Sequence, residues 1–245
     1  MALTIAHEPS PNHGERAAGK PVDILILHYT GMASDERALK WLCDPESAVS
    51  SHYFIFEDGR IAQLVDESRR AWHAGQSFWA GETDINSRSI GIEVANPGHE
   101  FGYRPFPDAQ IASVIALCQD ILSRHAIPPE RVLAHSDVAP FRKDDPGELF
   151  PWAVLAEAGV GFWPTAVIMN GEQTLRFGER GEGVAELRSA LGRYGYHLDP
   201  GNEFDEVTEA VVRAFQRHFR PERVDGIADS STVAVLGNLL AMRRK

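Results

Sequence analysis

The chain has 245 residues and a mass of 27.1 kDa, room for one large domain or for a medium one and a small one. With 43% hydrophobic and 24% charged residues it has the make-up of a folded globular chain, which excludes disordered, collagen-like and fibrous classes. A formal net charge of −11 excludes a strongly cationic nucleic-acid binder, and no apolar run approaches the ~18 residues that a membrane-spanning helix needs.

Residues 1–7 lack the basic start and apolar stretch of an export leader. That predicts a cytoplasmic protein; the periplasm is the alternative if a leader has been removed. Residues 22–28 form an apolar strand, expected to be buried on both faces and ending on His28. Ser34 caps a helix running to about Leu42, with Asp35 and Glu36 favourably placed in its first turn. Residues 52–56 and 61–65 read as a hairpin around the turn Glu57-Asp58-Gly59-Arg60. Residues 89–94 form a further strand. Ile111, Val114, Ile115, Cys118, Ile121 and Leu122 share one helical face, on a helix begun near Asp108 and stopped by Pro128-Pro129. Residues 132–134 form a short strand ending at His135. Two cysteines, Cys43 and Cys118, are too few for a disulfide framework, and Cys118 is expected to be buried.

These elements predict an α/β domain over residues 1–164, a mixed central sheet flanked by helices. Most of the acidic excess lies there. A linker is expected over 165–180, followed by a small all-α three-helix domain over 181–245 with a thin core. Its helices are marked by Val184, Leu187 and Leu191; by Val207, Val211, Phe215 and Phe219, with Asp205 as N-cap; and by Val233, Leu236 and Leu240.

Chemistry gathers at strand ends in open sheets, where loops diverge. His28 and His135 both sit there. Ten residues beyond His135, Asp144-Asp145-Pro146-Gly147 presents a carboxylate on a Pro-Gly turn. Two imidazoles and one carboxylate suit Zn²⁺ and leave a fourth position for water, although a plain surface turn fits the same residues. Glu93 stands in an otherwise apolar strand. A general base and an ion pair with Arg88 are equally good reasons for it.

Six ordered segments carry a resemblance. They are Ile26-Leu27-His28-Tyr29-Thr30; Ser51-His52-Tyr53; Ala71-Trp72-His73-Ala74-Gly75; Ser89-Ile90-Gly91-Ile92-Glu93; His135-Ser136-Asp137-Val138-Ala139-Pro140; and Arg142-Lys143-Asp144-Asp145-Pro146-Gly147. Over about residues 20–164 the chain resembles the zinc-dependent N-acetylmuramoyl-L-alanine amidases, in the branch that cleaves muropeptides. The resemblance implies one Zn²⁺ per chain held by His28, His135 and Asp145, the Lys-x-Asp-Pro-Gly pattern selecting Asp145 over Asp144. It implies that Glu93 activates water and that Lys143 stabilises the oxyanion. His52, Trp72 and His73 are expected to contact substrate, with Trp79 beside them on the groove wall. The implied partner is peptidoglycan or a muropeptide, with no nucleic acid and no transmembrane segment, and a monomer is expected. The alternative is a peptidoglycan-recognition protein without catalysis, but such proteins lack the third ligand, which Asp145 supplies here.

The second part resembles the three-helix peptidoglycan-binding domain in Gly183-Val184, Tyr194-Gly195-Tyr196, Phe204-Asp205, Ala214-Phe215-Gln216 and Asp225-Gly226. It departs from that family at Ala228-Asp229, where a further glycine is usual, which weakens the expectation of glycan affinity more than that of the fold. A wall-binding domain also favours the periplasm.

Overall fold

Side chains alternate across the strand Ile24–Tyr29, and both of its faces are covered, as its continuous apolar run predicts. The computed structural model describes residues 3–164 and 174–243. In chain order the first part contains β1 (Ile5–His7), β2 (His13–Glu15), β3 (Ile24–Tyr29), α1 (Asp35–Leu42), β4 (Tyr53–Ile55), β5 (Ile61–Gln63), β6 (Arg69–Ala71), α2 (Ile85–Arg88), β7 (Ser89–Val94), α3 (Gly98–Phe101), α4 (Asp108–Arg124), β8 (Val132–Ala134), α5 (His135–Val138) and α6 (Trp152–Glu157). The second contains β9 (Thr174–Leu175), α7 (Glu182–Tyr194), α8 (Glu206–Phe219), β10 (Ala228–Asp229) and α9 (Ser230–Met242). Of the expected linker, residues 165–173 lie outside the described residues, while Thr174–Leu175 pairs with Ala228–Asp229 as a two-stranded ribbon. No helix among the described residues is long and apolar enough to cross a membrane.

The central sheet is mixed, with six strands in the order β1-β5-β4-β7-β3-β8, flanked by helices. β4 and β5 form the expected antiparallel hairpin. β7, β3 and β8 are parallel, so their C-terminal ends lie along one edge. The register pairs His28 with Glu93 and Leu27 with Ala134, which puts His135 one step beyond the last pair. Sheet pairing alone therefore brings three of the chemically notable residues together.

One face of the sheet carries Leu25, Leu27, Ile90, Ile92 and Val94 against the apolar stripe of α4, including the wholly buried Cys118. The other face carries Ile24, Ile26 and Leu133 into a cluster shared with Val184, Leu187, Tyr194, Phe215 and Leu236 of the C-terminal helices. The core of those helices is thus continuous with the sheet's second face and is not the thin, separate core that their length suggested. An amphipathic helix buries its stripe wherever apolar surface is offered, and the sheet offers more than three short helices can offer one another.

Trp79 is the hinge pin of this junction. It is 1% exposed and meets Tyr194 and Tyr196 edge-to-face, with ring centroids at 5.8 and 5.0 Å. Gly195 lies at φ +144, and a Cβ there would stand 2.6 Å from the indole, so only glycine allows this approach. Trp79 thus belongs to the buried junction and not to the groove wall on which it was expected.

Because one apolar cluster serves both parts, Trp79→Ala is expected to destabilise them together, by about 3–5 kcal/mol. Urea unfolding followed by circular dichroism should remain a single transition shifted to lower denaturant. Two separated transitions would contradict the shared core.

Candidate metal centre

His28 stands on the same face of β3 as Ile24 and Ile26. His135 opens α5, and Asp145 comes back to it through a hydrogen bond from Ser136 N–H to the Asp145 carbonyl (3.0 Å). All three side chains are buried. His28 Nδ1 lies 2.9 Å from His135 Nδ1 and 3.1 Å from Asp145 Oδ2, and the last two atoms are 3.0 Å apart. Together they make a cluster able to hold a metal ion. Ligands at about 2.0–2.1 Å around a tetrahedral ion stand roughly 3.3 Å from one another, so this triangle fits with slight expansion. Asp144, in contrast, is exposed and pairs with Arg217 (2.7 Å).

The proton positions follow from the outer partners. A backbone carbonyl only accepts, so His135 Nε2 carries hydrogen toward Ala74 C=O (3.2 Å), and Nδ1 keeps its lone pair. For His28 the hydrogen-bonded relay is longer. Ser89 O–H donates to Ile85 C=O (2.7 Å), so Ser89 Oγ accepts from His73 Nε2–H (3.1 Å). His73 Nδ1 then accepts from His28 Nε2–H (3.0 Å), which leaves His28 Nδ1 bare and pointing at the centre. Such outer partners fix the tautomer and orientation of metal-binding imidazoles. His73 is seated over Gly91, where a Cβ would fall 2.5 Å from its ring, and Asn86 Oδ1 accepts both His73 N–H (3.1 Å) and Ala74 N–H (2.8 Å).

Electrostatics favour the ligand forms. Burial, followed by the neighbouring His135, draws the His28 pKa down to about 4. Burial alone would raise the Asp145 carboxyl, but the imidazoles of His135 and His28 outweigh it and hold it well below the usual carboxylate range. Glu93 behaves oppositely. Burial, and then the charge of Asp145, push it well above its ordinary value, with Lys143 opposing. Its Oε2 is buried with no hydrogen-bond partner among the described residues. The ion pair with Arg88 is not made; Arg88 binds Asp23 and Glu82 instead.

These groups open on a cavity of about 430 Å³ lined by Glu93, His135, Lys143 and Asp145 and walled by Tyr29, Trp41, Trp72, His73, His99 and Arg142. The Lys143 side chain makes no hydrogen bond or ion pair with another described residue, its backbone N–H donating to Ala139 C=O (3.1 Å). A larger groove of about 920 Å³ between α7 and α9 contains no comparable cluster among the described residues. His52, expected to touch substrate, does not reach the cavity. It is 0% exposed, accepts Gly91 N–H on Nδ1 (3.0 Å), donates from Nε2 to Arg69 C=O (3.1 Å), and lies edge-on beneath His73. Desolvation, reinforced by Arg16, lowers its pKa to about 3. A short, polar-looking Ser-His-Tyr segment gives no hint of this, because the side chain's surroundings come from β7 and the N-terminal arm.

The sequence profile of the N-acetylmuramoyl-L-alanine amidases matches residues 18–148, and that of a putative peptidoglycan-binding domain matches residues 180–236. The chain belongs to the N-acetylmuramoyl-L-alanine amidase family. It is 42% identical over 237 residues to the amidase AmiD of Escherichia coli (strain K12), covering 92% of this chain and 84% of that one. Among solved structures it resembles a complex of E. coli AmiD with anhydro-N-acetylmuramic acid-L-Ala-D-γ-Glu-L-Lys, with TM-score 0.79 and 40% identity over 93% of this chain and 92% of the other. It also resembles AmpDh3 of Pseudomonas aeruginosa in complex with anhydromuramic pentapeptide, with TM-score 0.73 and 32% identity over 93% and 95% of the two chains.

Members of this family that bind metal here should show two signatures. Replacing His73 with Phe removes the acceptor for His28 Nε2–H and is expected to weaken metal affinity 10- to 100-fold, read by chelator competition. Protonation of His28 competes with metal only as pH falls toward about 4, so the loss of metal through that ligand, measured after dialysis, is expected toward that value.

Proposed function

We propose that this chain is a zinc amidase that hydrolyses the amide joining the lactyl group of N-acetylmuramic acid to L-alanine of the stem peptide. The observation that carries the reading is the convergence of His28 Nδ1, His135 Nδ1 and Asp145 Oδ2 beside a Glu93 carboxylate oxygen that has no partner of its own among the described residues. The division of labour runs along the chain: residues 1–164 hold the catalytic part, 165–180 connect, and 181–245 form the peptidoglycan-binding-like part.

His28, His135 and Asp145 would hold the zinc. Two imidazoles and one carboxylate are a donor set common to catalytic zinc, which when bound polarises a carbonyl and brings the pKa of water down toward about 7. Glu93, raised in pKa yet close enough to feel Asp145, takes the proton of the attacking water and returns it to the departing alanine nitrogen. Amide hydrolysis needs that second transfer because an amine anion is a poor leaving group. Lys143, on the cavity wall with no competing side-chain partner among the described residues, meets the negative charge that develops on the carbonyl oxygen. Trp72 and His73 border the same cavity, Trp72 offering a face for sugar or peptide and His73 serving chiefly to orient His28. The relatives solved with anhydromuramyl peptides make such a muropeptide the substrate to try first.

Incubation with an anhydromuramyl tripeptide should release free stem peptide and sugar, identified by mass spectrometry. Glu93→Gln is expected to lower kcat about 10²- to 10⁴-fold with zinc content unchanged. Lys143→Met should lower it about 10²- to 10³-fold. Asp145→Asn should lose the metal. Turnover of Glu93→Gln equal to that of the parent would sink the catalytic reading, and iron in place of zinc on elemental analysis would sink the metal assignment.

A further inference from the structure

The C-terminal helices reach the metal site through one buried carboxylate. Asp137 lies two residues beyond His135 in α5 and is 1% exposed. Its Oδ2 accepts Ala134 N–H (2.8 Å) and His218 Nδ1–H (2.6 Å), and its Oδ1 accepts Tyr196 O–H (2.6 Å). Two of these three donors come from the second part of the chain, Tyr196 just after α7 and His218 within α8. His218 is held in turn by stacking on Trp152 and on Phe219, with centroids at 3.9 and 3.8 Å. Its ring is therefore fixed before it meets the carboxylate.

A second tie runs to the neighbour of Asp145. Arg217 Nη2 binds Asp144 Oδ1 at 2.7 Å, one residue before Asp145. The two ties meet where Ser136 N–H donates to the Asp145 carbonyl. α5 is only four residues long, and the Asp145 turn has no regular structure of its own. The 3.0 Å spacing between His135 and Asp145 is thus set by two short segments, tied to each other by the Ser136–Asp145 hydrogen bond and held from outside by Tyr196, His218 and Arg217.

We propose that the three-helix part is a working component of the metal site, with Tyr196, His218 and Arg217 as positioning residues for His135 and Asp145. This rests on the reading of that triad as a zinc site. It goes beyond that reading because it assigns the peptidoglycan-binding-like part a role that needs no glycan. A buried carboxylate stripped of one donor shifts to find another, and α5 shifts with it. Outer partners of metal ligands typically change affinity 10- to 100-fold when removed, without touching the ion.

The test uses the full-length chain. Zinc affinity is measured by chelator competition, the cobalt-substituted protein is examined by visible absorption, and secondary structure is followed by circular dichroism. Tyr196→Phe and His218→Leu are each expected to raise the zinc Kd 10- to 100-fold and to alter the cobalt spectrum at unchanged circular dichroism. His218→Asn, which keeps a side-chain N–H, should restore most of the affinity, and Arg217→Ala should raise the Kd a few-fold. If His218→Leu fails to fold, Tyr196→Phe and Arg217→Ala carry the test. Parental zinc affinity and cobalt spectrum in both Tyr196→Phe and Arg217→Ala would overturn the proposal. A parent protein that takes up no zinc would instead overturn the zinc reading itself, and this inference with it.

Discussion

Three lone pairs pointed at one another inside a buried cavity repel unless a cation or protons lie among them. The approach of His28 Nδ1, His135 Nδ1 and Asp145 Oδ2 to within 3.1 Å is such an arrangement, and the surrounding structure is organised to maintain it. Parallel pairing of β7, β3 and β8 delivers His28, Glu93 and His135 to one edge. The turn at Asp145-Pro146-Gly147 brings the carboxylate back. Tyr103 steadies that turn by donating to Pro146 C=O (2.7 Å) while accepting Leu149 N–H (2.9 Å).

What converts convergence into a ligand set is the control of protons. The relay from Ile85 C=O through Ser89 and His73 to His28 begins at a group that can only accept, and this settles every tautomer along it. Ala74 C=O does the same for His135 in a single step. Burial then suppresses protonation of His28, while the imidazoles keep Asp145 ionised. Glu93 stands apart from these networks, with an oxygen left over. That is the condition a proton carrier requires: a carboxylate engaged by its neighbours is not free to take up a proton and release it.

Much of the fold was legible in the chain. The continuous apolar run of β3, the period of α4, the hairpin of β4 and β5, and the cap at Ser34 all express local rules, and the structure shows each of them. For the site, His28, His135, Asp145, Glu93 and Lys143 could be named because the ordered motifs resemble a family. The structure draws them around one cavity or its buried edge. Trp79 and His52 were misplaced for a common reason. Aromatic and imidazole rings read as groove residues in sequence, but they fill buried junctions equally well when an edge contact or a carbonyl is waiting. Ser89, Asn86, Asp137, Tyr196 and His218 were not singled out as functional at all. Their partners lie 13 to 81 residues away or are backbone atoms, and neither leaves a periodic trace.

The sequence by itself determined which chemistry was available: two imidazoles and a carboxylate at strand ends and a turn, with one acid in an apolar strand. Those properties depend on residue type and on the alternation of a strand, both of which are local. Only the tertiary structure decided the burial of Asp145 against the two imidazoles, the direction in which each imidazole presents its lone pair, and the seating of the C-terminal helices on the sheet beside α5. These depend on groups brought together across the sheet and across the junction, where a few tenths of an ångström separate a hydrogen bond from a clash.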